Sequence, residues 1–163
     1  MRFLACFSQA PIVYEILDAR EMRSISAFSD LYPEELLTLL HILSDFGLID
    51  SFKDKALESH VITLHPLVRE TNLHHLNPQE VDDHTQALIR VLEARLESSN
   101  PLNPSNKLRW LATSLHGRAP MALILNNSES IKADSLLARA SHLEYVTLLF
   151  LEIQSILKES AEY

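Results

Sequence analysis

Apolar residues in this chain recur mainly at spacings of three and four, with only two short strand-like runs, the second of them β-branched, so the pattern predicts a mainly helical fold. Residues 2–9 read as a short apolar helix. Pro11 suits the first turn of another, carrying Ile12, Val13, Ile16 and Leu17, and residues 22–29 read as a third, with Ile25 and Phe28 inward. The clearest helix runs from Pro33 to about Phe46. Glu34 and Glu35 favour its positive end, and Gly47 offers a left-handed stop onto which Leu48 can fold back. Leu36, Leu39, Leu40, Leu43 and Phe46 form its expected inward stripe. Leu48–Phe52 and His60–Leu64, joined by a polar tip over Lys53–Ser59, predict a β-hairpin.

Pro66 opens a short helix. Asn77 and Glu80 have the spacing of a capping box at the start of a helix reaching about Ser98, with Val81, Leu88, Val91 and Leu92 inward. The segment Ser98–Pro104, with two prolines and two asparagines, is the strongest break. Helices follow from Leu108 to near Gly117, from Pro120, and over roughly 129–139. A last helix carries Leu143, Val146, Leu149, Phe150, Ile153, Ile156 and Leu157; either Ser141 and Glu144 cap it, or it runs straight on from Ala140. The break is as short as an ordinary interhelical loop, so the helices on either side should pack antiparallel, with Leu92 or Leu96 near Leu108 or Leu111.

The pattern therefore divides the chain into a winged-helix domain over residues 1–76, with one small β-hairpin, and an antiparallel helical bundle or repeat-like array over 77–163. Two glycines, Gly47 and Gly117, are few for the turns of a β-sandwich or a doubly wound sheet. The 163 residues are 47% hydrophobic, enough for a core, and carry a formal net charge of −8. That charge opposes binding to phosphate backbones and anionic lipid. No apolar run reaches the roughly 18 residues of a membrane helix, and the apolar start is too short for a signal peptide. The single cysteine, Cys6, lies in an apolar run, which fits a buried thiol in a reducing, cytoplasmic setting.

Three segments carry a family resemblance. They are Phe3-Leu4-Ala5-Cys6-Phe7 before Pro11-Ile12, Pro33-Glu34-Glu35-Leu36-Leu37 leading into Asp45-Phe46-Gly47-Leu48-Ile49, and Ile62-Thr63-Leu64-His65-Pro66-Leu67-Val68-Arg69-Glu70-Thr71. Together they resemble the winged helix that follows the nucleotide-binding core of STAND-class (NB-ARC-like) signalling ATPases, and residues 104–160 resemble a degenerate start of the tetratricopeptide-like helices that follow it in many members. The phosphate-binding loop of that family is absent, because two glycines seventy residues apart cannot supply it. The resemblance thus implies no ATPase activity and no cofactor. It implies a regulatory and interaction module, with a protein partner or the nucleotide-binding domain of a parent chain as its partner.

Candidate chemistry is sparse. A recognition-helix role for 33–46 would use the face bearing Glu34, Thr38, His41 and Asp45, which has no cation. From Asp30 to Glu58 seven acids face two lysines. A transcription regulator reading DNA through Lys53 and Lys55 is the alternative, and a stand-alone helical scaffold a third reading. His65, at the strand-to-helix junction, is either a switch or a helix-start residue bonded to backbone. His65, Arg69, Trp110, Glu34, His41 and Asp45 are the candidate interaction or switch residues. His74, His75 and His84 lack the spacing of a metal site, and no residue has the setting of a catalytic group. Trp110 and Tyr145, among leucines, read as core. A truncated helical array leaves one apolar end bare, which predicts self-association.

Overall fold

The computed structural model describes residues 1–17, 22–23, 28–30, 32–97, 99–101, 103–127 and 134–161. The fold is mainly helical with one small three-stranded antiparallel sheet. Helix α1 (Arg2–Ala5) leads to strand β1 (Ile12–Val13) and a 3₁₀ turn (Tyr14–Ile16). Helix α2 (Pro33–Asp45) precedes strands β2 (Ile49–Asp54) and β3 (Ser59–Leu64). Helices α3 (Pro66–His74), α4 (Pro78–Glu97), α5 (Lys107–Ser114), α6 (Ala119–Asn126) and α7 (Asp134–Ala161) complete the chain.

The helix ends follow the local signals. Glu35 accepts a hydrogen bond from the Tyr32 N–H at 3.0 Å at the start of α2. At its other end Gly47 has φ +65°, its N–H reaches Ser44 O at 2.9 Å and the Leu48 N–H reaches Leu43 O at 3.0 Å, the paired bonds of a Schellman stop. Asn77 and Glu80 form the expected reciprocal cap of α4, at 2.9 and 3.0 Å.

Between Gly47 and the hairpin the backbone switches to a strand, and β2 pairs with β3 in the register Ile49–Leu64 to Asp54–Ser59. The tip is tighter than the pattern predicts. Asp54 closes it by accepting from the Ala56 and Leu57 N–H groups.

The predicted helix at Pro11 is not formed. Ile12 and Val13 pair with Ile62 and Val61 on the free edge of β3, giving the strand order β1-β3-β2. Two β-branched residues facing an open sheet edge gain ladder bonds that a helix start at Pro11 could not offer. The preceding helix is likewise shorter than 2–9, ending at Ala5 so that Phe7–Pro11 can cross to the sheet. Phe28 packs edge-on against Phe3, 5.5 Å between ring centroids, while the rest of the expected helix over 22–29 lies mostly outside the described residues.

Helix α7 is continuous from Asp134 through Ser141 and Glu144, so neither caps a helix start, and it holds to Ala161. The expected helix over 129–139 therefore belongs to α7 in its described part. Its described residues, 134–139, are the first six of this one helix, and residues 128–133 lie outside the described set.

One core runs through both halves of the chain. Phe3, Phe7, Ile12, Ile16, Ile49 and Ile62 join Leu88, Leu92, Leu96, Trp110 and Phe150 in a single apolar cluster. Helix α4 is its spine: every inward position predicted for it is buried, and it packs against α5, α6, α7 and the Tyr14–Ile16 turn. Gly117, between α5 and α6, lies so close to α7 that a Cβ there would overlap the Thr147 side chain.

Candidate functional site

Helix α2 presents three faces. Leu40 is buried, and Leu36 and Leu43 pack partly against the core. The other two members of the predicted stripe face outward, Leu39 at 48% and Phe46 at 75% exposure. Among the described elements its main contact is with β2, and five apolar residues spread over about 120° do not all face that contact. Leu39, Ile42 and Phe46 form an exposed apolar edge. Glu34, Thr38, His41 and Asp45 are all exposed on the adjoining face, at the spacing the sequence implies. The helix carries no lysine or arginine.

The other candidates have structural partners. His65 is the residue before α3, and its Nδ1 accepts from the Leu67 N–H at 3.3 Å. Arg69, on α3, donates through Nε and Nη2 to the Phe7 carbonyl at 3.2 and 2.9 Å, so it pins the crossing from α1 to β1. Trp110 is buried, donates Nε1–H to Ser99 O at 3.2 Å and lies against Phe150, 5.3 Å between ring centroids. Tyr145, expected in the core, is 64% exposed because its side of α7 faces away from α4 and α5.

The pattern gave no sign of one buried polar cluster. His116 follows α5 and is fully buried. Its ring meets Phe7 edge-on at 5.2 Å. Nδ1 stands 2.8 Å from Ser8 Oγ and Nε2 stands 3.2 Å from Pro11 O. A carbonyl only accepts, so Nε2 carries the proton and Nδ1 is free to accept from the Ser8 hydroxyl. The Ser8 hydroxyl also donates towards Leu115 O, 2.9 Å away, so its single proton is shared between that carbonyl and Nδ1. Burial lowers the His116 pKa to about 4, against the smaller opposing effect of the Pro11 carbonyl. A serine on a histidine is the pairing of nucleophilic catalysis, but a base needs a pKa near the working pH. His116 is held neutral and out of solvent, and the pair acts as a clasp between the two halves. Only its distance along the chain hid it: no local motif links Ser8 to His116.

Cys6 is buried, and burial pushes its thiol pKa up to about 12, so it stays protonated. His84 is packed with Phe3 and Phe28, and desolvation lowers its pKa although Glu80 and Asp83 oppose this. His74 and His75 stand 6.1 Å apart by ring centroid, and no group of three His, Cys, Asp or Glu among the described residues is placed to hold a metal ion. Among the described residues no helix is long and apolar enough to cross a membrane.

A groove of about 390 Å³ lies between α7 and the start of α5. Pro101, Pro104, Trp110, Phe150, Ile153 and Leu157 line it, so its chemistry is that of an apolar contact surface. Comparison with protein families, with curated proteins and with solved structures gave no match to this chain.

Proposed function

We propose that this chain is a non-catalytic regulatory and protein-interaction module, its first half a winged helix that binds protein rather than DNA. The observation that carries this reading is the outward surface of α2. It joins an apolar edge (Leu39, Ile42, Phe46) to a face bearing Glu34, Thr38, His41 and Asp45, without one cation. DNA binders neutralise phosphates with several basic contacts, whereas exposed apolar strips with a polar border suit a protein surface. The element order, with strand order β1-β3-β2 and a hairpin after α2, supports the winged-helix reading. By resemblance to STAND-class regulators, the partner of this face is a nucleotide-binding domain, in the same parent chain or in another, in the cytoplasm.

The competing reading is a transcription regulator that uses Lys53 and Lys55 on the hairpin, both exposed. A mobility-shift titration at low salt separates the two, since non-specific binding is strongest there. No retention of a random-sequence duplex at micromolar protein is expected; clear retention would overturn the reading. In parallel, Ile42→Ser with Phe46→Ser should lower hydrophobic-dye fluorescence while leaving the circular dichroism unchanged. Dye fluorescence equal to wild type would mean that the edge is not an accessible apolar surface.

A further inference from the structure

A second apolar surface runs along α7. Val146, Leu149, Ile153 and Ile156 recur at alternating spacings of three and four, the inner positions of a two-heptad repeat. Leu149, Ile153 and Ile156 are 42%, 39% and 55% exposed, with Tyr145 at 64% and Leu157 at 57% beside them. These side chains leave on the order of 500 Å² of apolar surface in one strip. That is as large as the largest patch a monomer normally leaves bare, and more than half of the roughly 800 Å² that each partner contributes to a standard interface.

We propose that this strip binds a second copy of the chain, the two α7 helices lying side by side and parallel about a two-fold axis that runs along them. The charges on its two flanks select this arrangement. One flank adjoins the groove with Trp110 and Phe150, and the charge there is exposed Lys107, which borders the groove together with Gln154. The other flank carries Glu152 and Glu159, both exposed and seven positions apart. A two-fold axis along the helices exchanges the flanks, so Glu152 of each copy faces the groove flank and Lys107 of the other. An antiparallel pair would keep like flanks together, setting Glu152 against Glu152 and Lys107 against Lys107. The inner residues mostly fit a two-stranded pair: Val146 and Ile153 are β-branched at one inner position, and Leu149 shares the other with Ile156. Arg139 and His142, one heptad earlier, are polar, so the contact begins near Tyr145. This interface lies on α7 and is tested apart from the protein-binding face of α2.

Sedimentation equilibrium of the full chain should show a monomer–dimer equilibrium at high micromolar concentration. Ile153→Asp, on an already accessible position, should abolish it while circular dichroism and Tm stay near wild type. Lys107→Glu and Glu152→Lys should each weaken dimerisation by about tenfold or more, and the two together should restore it. Register is read from single cysteines, because Cys6 is buried and does not compete. Leu149→Cys and Ile156→Cys should each oxidise to a homodimer on its own. A strict monomer, failure of the charge reversal to rescue, or cross-linking only when the Leu149→Cys and Ile156→Cys variants are mixed would each overturn the proposal.

Discussion

Ser8 and His116, 108 positions apart in sequence, share a 2.8 Å hydrogen bond inside the protein. Because His116 is neutral when folded and ordinary when unfolded, it links stability to pH. Its folded pKa of about 4 lies below the ordinary 6.5, so below pH 6.5 the unfolded chain takes up a proton that the folded chain refuses. The contribution is complete above pH 6.5 and is lost as pH falls from 6.5 towards 4. The gap corresponds to about 3 kcal/mol. Urea denaturation at pH 8 and pH 4.5 should show this loss, with His84 adding to it in the same direction. His116→Gln should be less stable than wild type at pH 8 and should lose less on acidification. An unchanged pH slope in that variant would remove His116 as the cause.

Leu96 tests whether the halves fold as one. It is 6% exposed in the core that joins them. Leu96→Asp buries a charge without a partner and should cost about 3 kcal/mol or more. The chain has one cysteine and one tryptophan, which report on the two ends separately. Cys6 thiol labelling and Trp110 fluorescence should give the same unfolding midpoint in wild type and shift together in the variant. Two distinct midpoints would show that the halves unfold independently.

Gly117 faces Thr147 with no room for a side chain. Thr147 cannot step aside readily, since its hydroxyl is bonded to Leu143 O and Glu144 O and its branched side chain is fully buried. Gly117→Ala should destabilise by roughly 1–3 kcal/mol, the range for overpacking. Adding Thr147→Ala should recover part of the loss, a coupling read from a double-mutant cycle by thermal denaturation.

Arg69 holds the Phe7 carbonyl in a two-toothed grip. Lysine retains the charge but not the fork, so Arg69→Lys should still cost about 1–2 kcal/mol in chemical denaturation. Hydrogen exchange should rise chiefly around residues 7–13. A variant as stable as wild type would show that the grip contributes nothing.

What the pattern disclosed followed the range of each interaction. Helix α2 with its Gly47 stop, the Asn77–Glu80 cap and the inward positions of α4 were legible because their causes lie within four residues. Strand β1 was misread because Pro11 is a local helix signal, whereas the partner of Ile12 is Ile62, fifty positions on. Leu39 and Phe46 were misassigned because periodicity shows that a helix has an apolar side but not how wide a strip of it the body covers. Of the candidate residues, His65, Arg69 and Trp110 turned out to have partners within the fold. The Ser8–His116 clasp was invisible for the reason β1 was.

The clasp also sets an order of events during synthesis. Ser8 and the Pro11 carbonyl leave the ribosome well before the imidazole that holds them is made. At about 5–20 residues per second, the interval is roughly 5–20 s. Throughout it Ser8 and the Pro11 carbonyl lack their imidazole partner, although β3 and Arg69, made well before His116, can already hold Ile12, Val13 and the Phe7 carbonyl. The emerging chain therefore fastens its first dozen residues in two stages, the sheet edge and the Arg69 grip first and the buried imidazole last.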